Sequence, residues 1–233
     1  MNNEKQEKKE LTVLNVMSTI TNDNPPQERA DVAITAKSLV IQQPKRSVNA
    51  NSAFYLSREE IERIFTACTS LRDRTLIGVL YFSMMRRDEA RNLKIENIDF
   101  DNRWLNLIKT KGSRPRTIPL SDRLFSDLKL LCGNRKLGFI FLSPAGLRLS
   151  NKAVNEIIAK AAVKAGIKNP NPKRKNINPH IFRHSAGRHF LKAGGRIEVL
   201  QKLLGHKSIT TTIDIYGAPS LPDIAEEFKR VFG

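Results

Sequence analysis

Within this 233-residue sequence, His180 and Arg183 stand three residues apart, His206 and Tyr216 follow ten residues apart, and Arg86 and Lys111 precede them. A phenol becomes a nucleophile once its proton is removed, and an ammonium can give a proton to a departing oxygen. Planar guanidinium groups match phosphoryl oxygens, where negative charge gathers during substitution at phosphorus. Together these residue types could cleave a phosphodiester without a metal ion. At i and i+3 near a helix start, His180 and Arg183 share one face. Gly187, one turn on, reads as a gap that opens this face to close approach by a backbone, while Phe182, Ala186 and Phe190 form the buried face. Singly, each residue has an ordinary reading: Tyr216 as a packed aromatic, Lys111 as a solvated hairpin tip, Arg86 beside Arg87 as helix-end charge. Their order and context carry the case.

The elements that must position them are mostly helical. Ser57 and Glu60 form a capping box ahead of Ile61, Ile64, Phe65 and Cys68 at helix spacing. A helix from Asp73 to about Met85 is apolar nearly all round, as a central core helix would be, and another runs from Arg87 to Leu93. Trp104 to Ile108 and Arg116 to Leu120 alternate around Gly112 and predict a β-hairpin, joined by Asn97 to Phe100. Ser121 and Ser150 cap two further helices. Asn178-Pro179 then opens a helix that ends at about Ala193, before Gly194-Gly195. Ile197 to Leu204 with Gly205 as terminator, Ser208 to Tyr216, and an amphipathic helix with a stripe from Leu221 to Phe232 complete the pattern. The fold class is mainly α with a small antiparallel β-sheet, an α+β arrangement.

Composition narrows the partners. The formal net charge is +17, and residues 1–52, with seven Lys/Arg and six Asp/Glu, supply only +1 of it. Residues 53–233 therefore carry +16, an excess suited to a polyanion. Residues 1–52 are rich in Asn, Gln and Ser, contain Pro25-Pro26, and read as a disordered tail; residues 53–233 read as the folded domain. There is no run of about 18 apolar residues and no signal-peptide pattern, which predicts a protein of the cytoplasm rather than the membrane. Cys68 and Cys132 lack partners at ligand spacing and read as core thiols.

From residue 54 to 232 the sequence resembles the catalytic domain of the tyrosine recombinase, or phage integrase, family. Ser83-Met-Met-Arg-Arg-Asp-Glu89 is similar to its first box, with Arg86 as the first active-site arginine and Glu89 as the supporting carboxylate. Lys111 falls on the hairpin that carries the family's lysine, ahead of Arg116-Thr-Ile-Pro-Leu120. His180-Ile-Phe-Arg-His184, Leu203-Leu-Gly-His206 and Thr211-Thr-Ile-Asp-Ile-Tyr216 match the remaining boxes. The resemblance implies that Tyr216 attacks the scissile phosphate to leave a 3′-phosphotyrosyl link, that Lys111 protonates the leaving 5′ oxygen, and that Arg86 and Arg183 neutralise the transition state. It gives His206 a hydrogen bond to the phosphate and His180 a part in moving the tyrosine proton. With arginines in place of a metal, no cofactor is implied. Double-stranded DNA at the nucleoid is the implied partner, bound by a homotetramer that pairs two sites, with or without an accessory DNA-binding protein.

Two departures from the family pattern stand out. Met84-Met85 replaces the usual Gly-Leu, so a residue that readily takes positive φ is missing ahead of Arg86 and the approach to that arginine is expected to differ. Only residues 1–52 precede the catalytic part, where relatives usually carry a DNA-clamping domain; this reads as either a minimal recombinase or one that needs a partner. Type IB topoisomerase-like relaxation, or a DNA-binding regulator without catalysis, are the alternative readings.

Overall fold

In the computed structural model the described residues are 54–108, 114–217, 228, 229 and 232. The proposed tail, the hairpin tip with Lys111 and Gly112, and most of the stripe from Leu221 to Phe232 lie outside them.

Helix α1 (Arg58–Ala67) begins with the expected capping box. Ser57 Oγ accepts from Glu60 N at 3.2 Å, and Glu60 Oε2 accepts from Ser57 N at 2.8 Å. Helix α2 (Leu71–Phe82) starts two residues before the expected Asp73 because Ser70, not a later residue, is its cap; Ser70 Oγ accepts from Asp73 N at 3.1 Å. It also stops three residues short of Met85, and Thr75 through Leu80 are all buried, as the continuous apolar pattern requires. Helix α2 packs against two later helices, α4 (Asp122–Cys132) and α6 (Pro179–Lys192).

The turn after α2 explains the Met84-Met85 departure. Met84 takes φ 49°, a conformation usual for glycine that costs a side-chain-bearing residue about 1–2 kcal/mol. The turn thus takes positive φ without a glycine, and Met84 bears the strain. Short helix α3 (Arg87–Arg91) follows directly.

A three-stranded antiparallel sheet has the order β1 (Ile98–Asp99), β2 (Trp104–Leu107), β3 (Arg116–Pro119). Leu105 faces Ile118 and Leu107 faces Arg116 across β2 and β3. Leu105, Leu107 and Ile118 point into the core on the alternating face.

Ser121 caps α4 and Ser150 caps α5 (Asn151–Lys164), each hydroxyl accepting the third amide of its helix. Asn178 Oδ1 caps α6 by accepting from His180 N at 3.0 Å and Ile181 N at 3.3 Å, with Pro179 in the first turn. Helix α7 (Ile197–Leu204) ends at Gly205, which is left-handed at φ 68°. Helix α8 (Ile209–Tyr216), capped by Ser208, packs on α7.

The first described residues lie along α6. Leu56, fully buried, donates its N–H to Ser185 Oγ at 2.9 Å, and that hydroxyl donates to Ile181 O at 2.8 Å. Nearby, Lys192 Nζ donates to Tyr55 Oη at 2.6 Å, and Tyr81 Oη meets His189 Nδ1 at 2.7 Å. Cys132 is a buried core thiol; Cys68 is half-buried, donates to Ile64 O, and burial pushes its pKa up to about 11. Among the described residues no helix is long and apolar enough to cross a membrane.

Candidate active site

Helix α6 supplies the centre of the site. Its N-terminal cap fixes the first turn, which places His180 at the exposed end and Arg183 one turn in, buried with 3% of its surface exposed. Arg183 is more than a surface cation. Its Nη1 donates to Met84 O at 2.5 Å and its Nη2 to Leu204 O at 2.7 Å. One guanidinium thereby ties the turn before Arg86 to the turn before His206. Burial, then the charges of Arg86 and Arg116, lowers the Arg183 pKa to about 10, so it stays protonated at neutral pH.

His206 lies beside it, with Nε2 3.3 Å from Arg183 Nη2 and Nδ1 3.0 Å from Thr212 Oγ1. Burial, then Arg183, Arg86, Arg116 and His180, depresses its pKa to about 4, so the ring is neutral at physiological pH. Because a guanidinium can only donate, Nε2 offers a lone pair here and the proton sits on Nδ1, facing Thr212. Donating from Nε2 to a phosphate oxygen requires the other tautomer, with the Thr212 hydroxyl donating to Nδ1; a hydroxyl serves either arrangement. Desolvation and then Arg183, His184, Arg86 and Arg174 likewise lower the pKa of His180.

Arg86, the N-cap of α3, has its backbone N–H held by Glu89 Oε2 at 2.8 Å. Its Nη1 is buried, makes no hydrogen bond, and stands 3.8 Å from Glu89 Oε1. Glu89 instead forms a two-pronged pair with Arg116, Nη1 to Oε1 at 2.9 Å and Nη2 to Oε2 at 2.8 Å.

Tyr216, at the end of α8, is buried with 6% exposure. Its ring stacks on His184 at a centroid distance of 5.2 Å, and Arg188 Nη1 donates to its carbonyl at 2.8 Å. Burial raises the phenol pKa to about 12, against the smaller opposing effects of Arg183 and Arg188. The reading of Gly187 is corrected by this contact. A Cβ there would lie 2.5 Å from Tyr216 Oη and 2.6 Å from Cε1 and Cζ, so the missing side chain admits the Tyr216 ring and not an outside backbone. In this position the ring is sheltered between His184 and Gly187, within electrostatic reach of Arg183.

A prediction follows from that contact. In Gly187→Ala the tyrosine cannot keep its place, and the alanine itself favours the helix by about 1 kcal/mol. Absorbance titration of the phenols should show one group falling from about 12 toward the ordinary tyrosine value near 10. An unchanged titration would mean that α6 shifts instead of the ring.

The structure thus brings Arg86, His180, Arg183 and His206 within electrostatic reach of one another and sets Tyr216 against the same helix. Lys111 is outside the described residues. Arg116 and Thr212 escaped the sequence reading. For Thr212 a signal existed, since it lies one helical turn before Tyr216 on the side facing His206; for Arg116 none did, because its partner is 27 residues away.

Residues 55–220 match the family model described as the phage integrase family. The chain belongs to the phage integrase family. Among family members, the tyrosine recombinase XerA of Pyrococcus horikoshii is 32% identical over 180 residues, which cover 75% of this chain and 60% of that protein. A crystal structure of XerA recombinase aligns with a TM-score of 0.62 at 26% identity, over 77% of this chain and 65% of that one. The catalytic domain of bacteriophage HP1 integrase aligns with a TM-score of 0.53 at 27% identity, over 76% of this chain and 95% of that domain. The phage integrase member described here therefore has the tyrosine recombinase catalytic-domain fold, mainly helical with a small antiparallel sheet, and spans 60% of the length of the XerA recombinase it matches.

Proposed function

We propose that this chain is a site-specific recombinase that cuts and rejoins double-stranded DNA through a phosphotyrosyl bond to Tyr216. The observation that carries this reading is the buried, hydrogen-bond-free Nη1 of Arg86 beside Arg183, His180 and His206, whose pKa values are depressed by burial first and then by the positive charges gathered there. Such a group is complete only when an anion enters, and a phosphodiester supplies it.

Tyr216 Oη attacks phosphorus, the bond to the 5′ oxygen breaks, and that oxygen takes a proton from Lys111. His180 assists removal of the phenol proton, Arg86 and Arg183 neutralise the non-bridging oxygens, and His206 donates from Nε2 after its tautomer changes. The 3′-phosphotyrosyl ester conserves the energy of the original bond, so another 5′ hydroxyl can reverse the step without ATP. Two DNA sites and four protomers fit exchange between duplexes in the cytoplasm, at the nucleoid.

The test is to mix the protein with fragmented genomic DNA, recover fragments that stay linked after denaturation, and sequence them. Adducts at one site, with recombinant products, support the proposal. Relaxation of any supercoiled plasmid without recombinants would point to topoisomerase-like action, and no linkage to any fragment would point to a binding protein.

Lys111 has its own test on the mapped site. Lys111→Ala should slow cleavage of the normal phosphodiester by on the order of 100-fold. With sulfur in place of the bridging 5′ oxygen, the thiolate leaves without a proton and most of the rate should return. Equal impairment on both substrates would assign the acid to another group.

A further inference from the structure

We propose that Arg116 is a positioning residue for Arg86, acting through Glu89; this rests on the reading of Arg86 as a phosphate ligand. Glu89 sits between two arginines and serves them differently. Arg116 occupies both carboxylate oxygens with its fork, at 2.9 Å and 2.8 Å. Arg86 receives a hydrogen bond at its backbone N–H, at 2.8 Å, while its guanidinium makes only a longer ion pair at 3.8 Å.

This division has a chemical consequence. The pair is almost fully enclosed, with side-chain exposures of 5% for Arg116 and 4% for Glu89, so the carboxylate charge is satisfied inside the protein. An unsatisfied carboxylate at that place would draw Arg86 Nη1, already 3.8 Å from Oε1, into a full hydrogen bond. Arg116 prevents this and leaves Arg86 Nη1 with a long ion pair and no hydrogen bond, open to an incoming anion. Arg116 turns both terminal nitrogens to Glu89, and its Nε is buried without a hydrogen bond.

The fold holds Arg116 from two sides. Strand β3 fixes its backbone opposite Leu107. On the other side Gly205, left-handed at φ 68°, clears the space: a Cβ there would stand 3.0 Å from Arg116 Nη1 and 3.2 Å from its Cδ. The glycine that ends α7 just before His206 therefore also seats the arginine that frees Arg86.

Single-turnover cleavage of the mapped DNA site tests the assignment, with thermal unfolding followed in parallel. Arg116→Met should cut more slowly by on the order of 100-fold, the usual cost of losing one oriented charge donor. Adding Glu89→Gln should recover about tenfold, because the amide oxygen still accepts the Arg86 N–H but has no charge to capture its guanidinium. In an Arg86→Ala background, Arg116→Met should cost less than about threefold more, as expected of residues acting as one unit. A neutral methylphosphonate at the scissile position should likewise show little of the Arg116→Met loss.

Multiplying losses in the two backgrounds, or an equal Arg116→Met loss on the methylphosphonate, would overturn the assignment and leave Arg116 as a structural residue. Full cleavage by Arg86→Ala would remove the reading of Arg86 itself, and this assignment with it. Should Arg116→Met not fold, Arg116→Lys, which keeps a charge without the fork, should give a smaller loss with the same Arg86 dependence; its absence would also overturn the proposal.

Discussion

Tyr216→Phe should bind DNA like the parent and form no covalent adduct at all. The substitution removes one oxygen from a ring that is 6% exposed, stacked on His184 and seated against Gly187. None of that packing depends on the oxygen, so stability should change by less than about 1 kcal/mol. The loss is thus chemical and total. Denaturing gels on the mapped site check it, with a gel-shift assay on the same DNA as the control. An adduct from the variant would move the nucleophile to Tyr55 or Tyr81, the other two tyrosines of the sequence. Those two lie together around His189, with Tyr81 Oη 2.7 Å from Nδ1 and the Tyr55 ring edge-on at 5.9 Å, so the search would be confined to one place.

Arg183→Ala should lose both cleavage and stability, and the second loss sets it apart from Lys111→Ala. The parent guanidinium satisfies the buried carbonyls of Met84 and Leu204. Alanine leaves two acceptors unpaired at about 1–3 kcal/mol each, besides the space the side chain vacates. Chemical denaturation should therefore show a fall of roughly 3–5 kcal/mol, and cleavage should be undetectable on both the oxygen and the sulfur substrate. Arg183→Lys should be intermediate, because one ammonium lacks the fork that spans both carbonyls. Parent-like stability in Arg183→Ala would show that the two turns are held by other contacts, and that the arginine serves phosphate alone.

Local chemistry was legible in the sequence. Ser57, Ser121, Ser150, Asn178 and Gly205 start or end helices where their side chains and backbone freedom place them, because a cap involves residues within four positions of each other. The order of the boxes gave the arginines and histidines that gather around α6. What escaped depends on pairs far apart along the chain. Arg183 reaches Met84 across 99 residues, and Arg116 reaches Glu89 across 27. Gly187 was legible as a gap, but only the fold says what fills it. Met84 takes positive φ for another reason that local propensity does not show: the disfavoured conformation is a cost, and the contacts of the surrounding core outweigh it.

The segment at residues 55 and 56 has a mechanical consequence. Leu56 is fastened to Ser185, two positions beyond Arg183, and Tyr55 to Lys192 at the far end of the same helix. Tension on the chain ahead of residue 54 is therefore borne by the helix that carries His180 and Arg183, at two points along its length, before it spreads to the rest of the core. A load applied at residues 55 and 56 would reach this helix at Ser185 and at Lys192, near its middle and at its end.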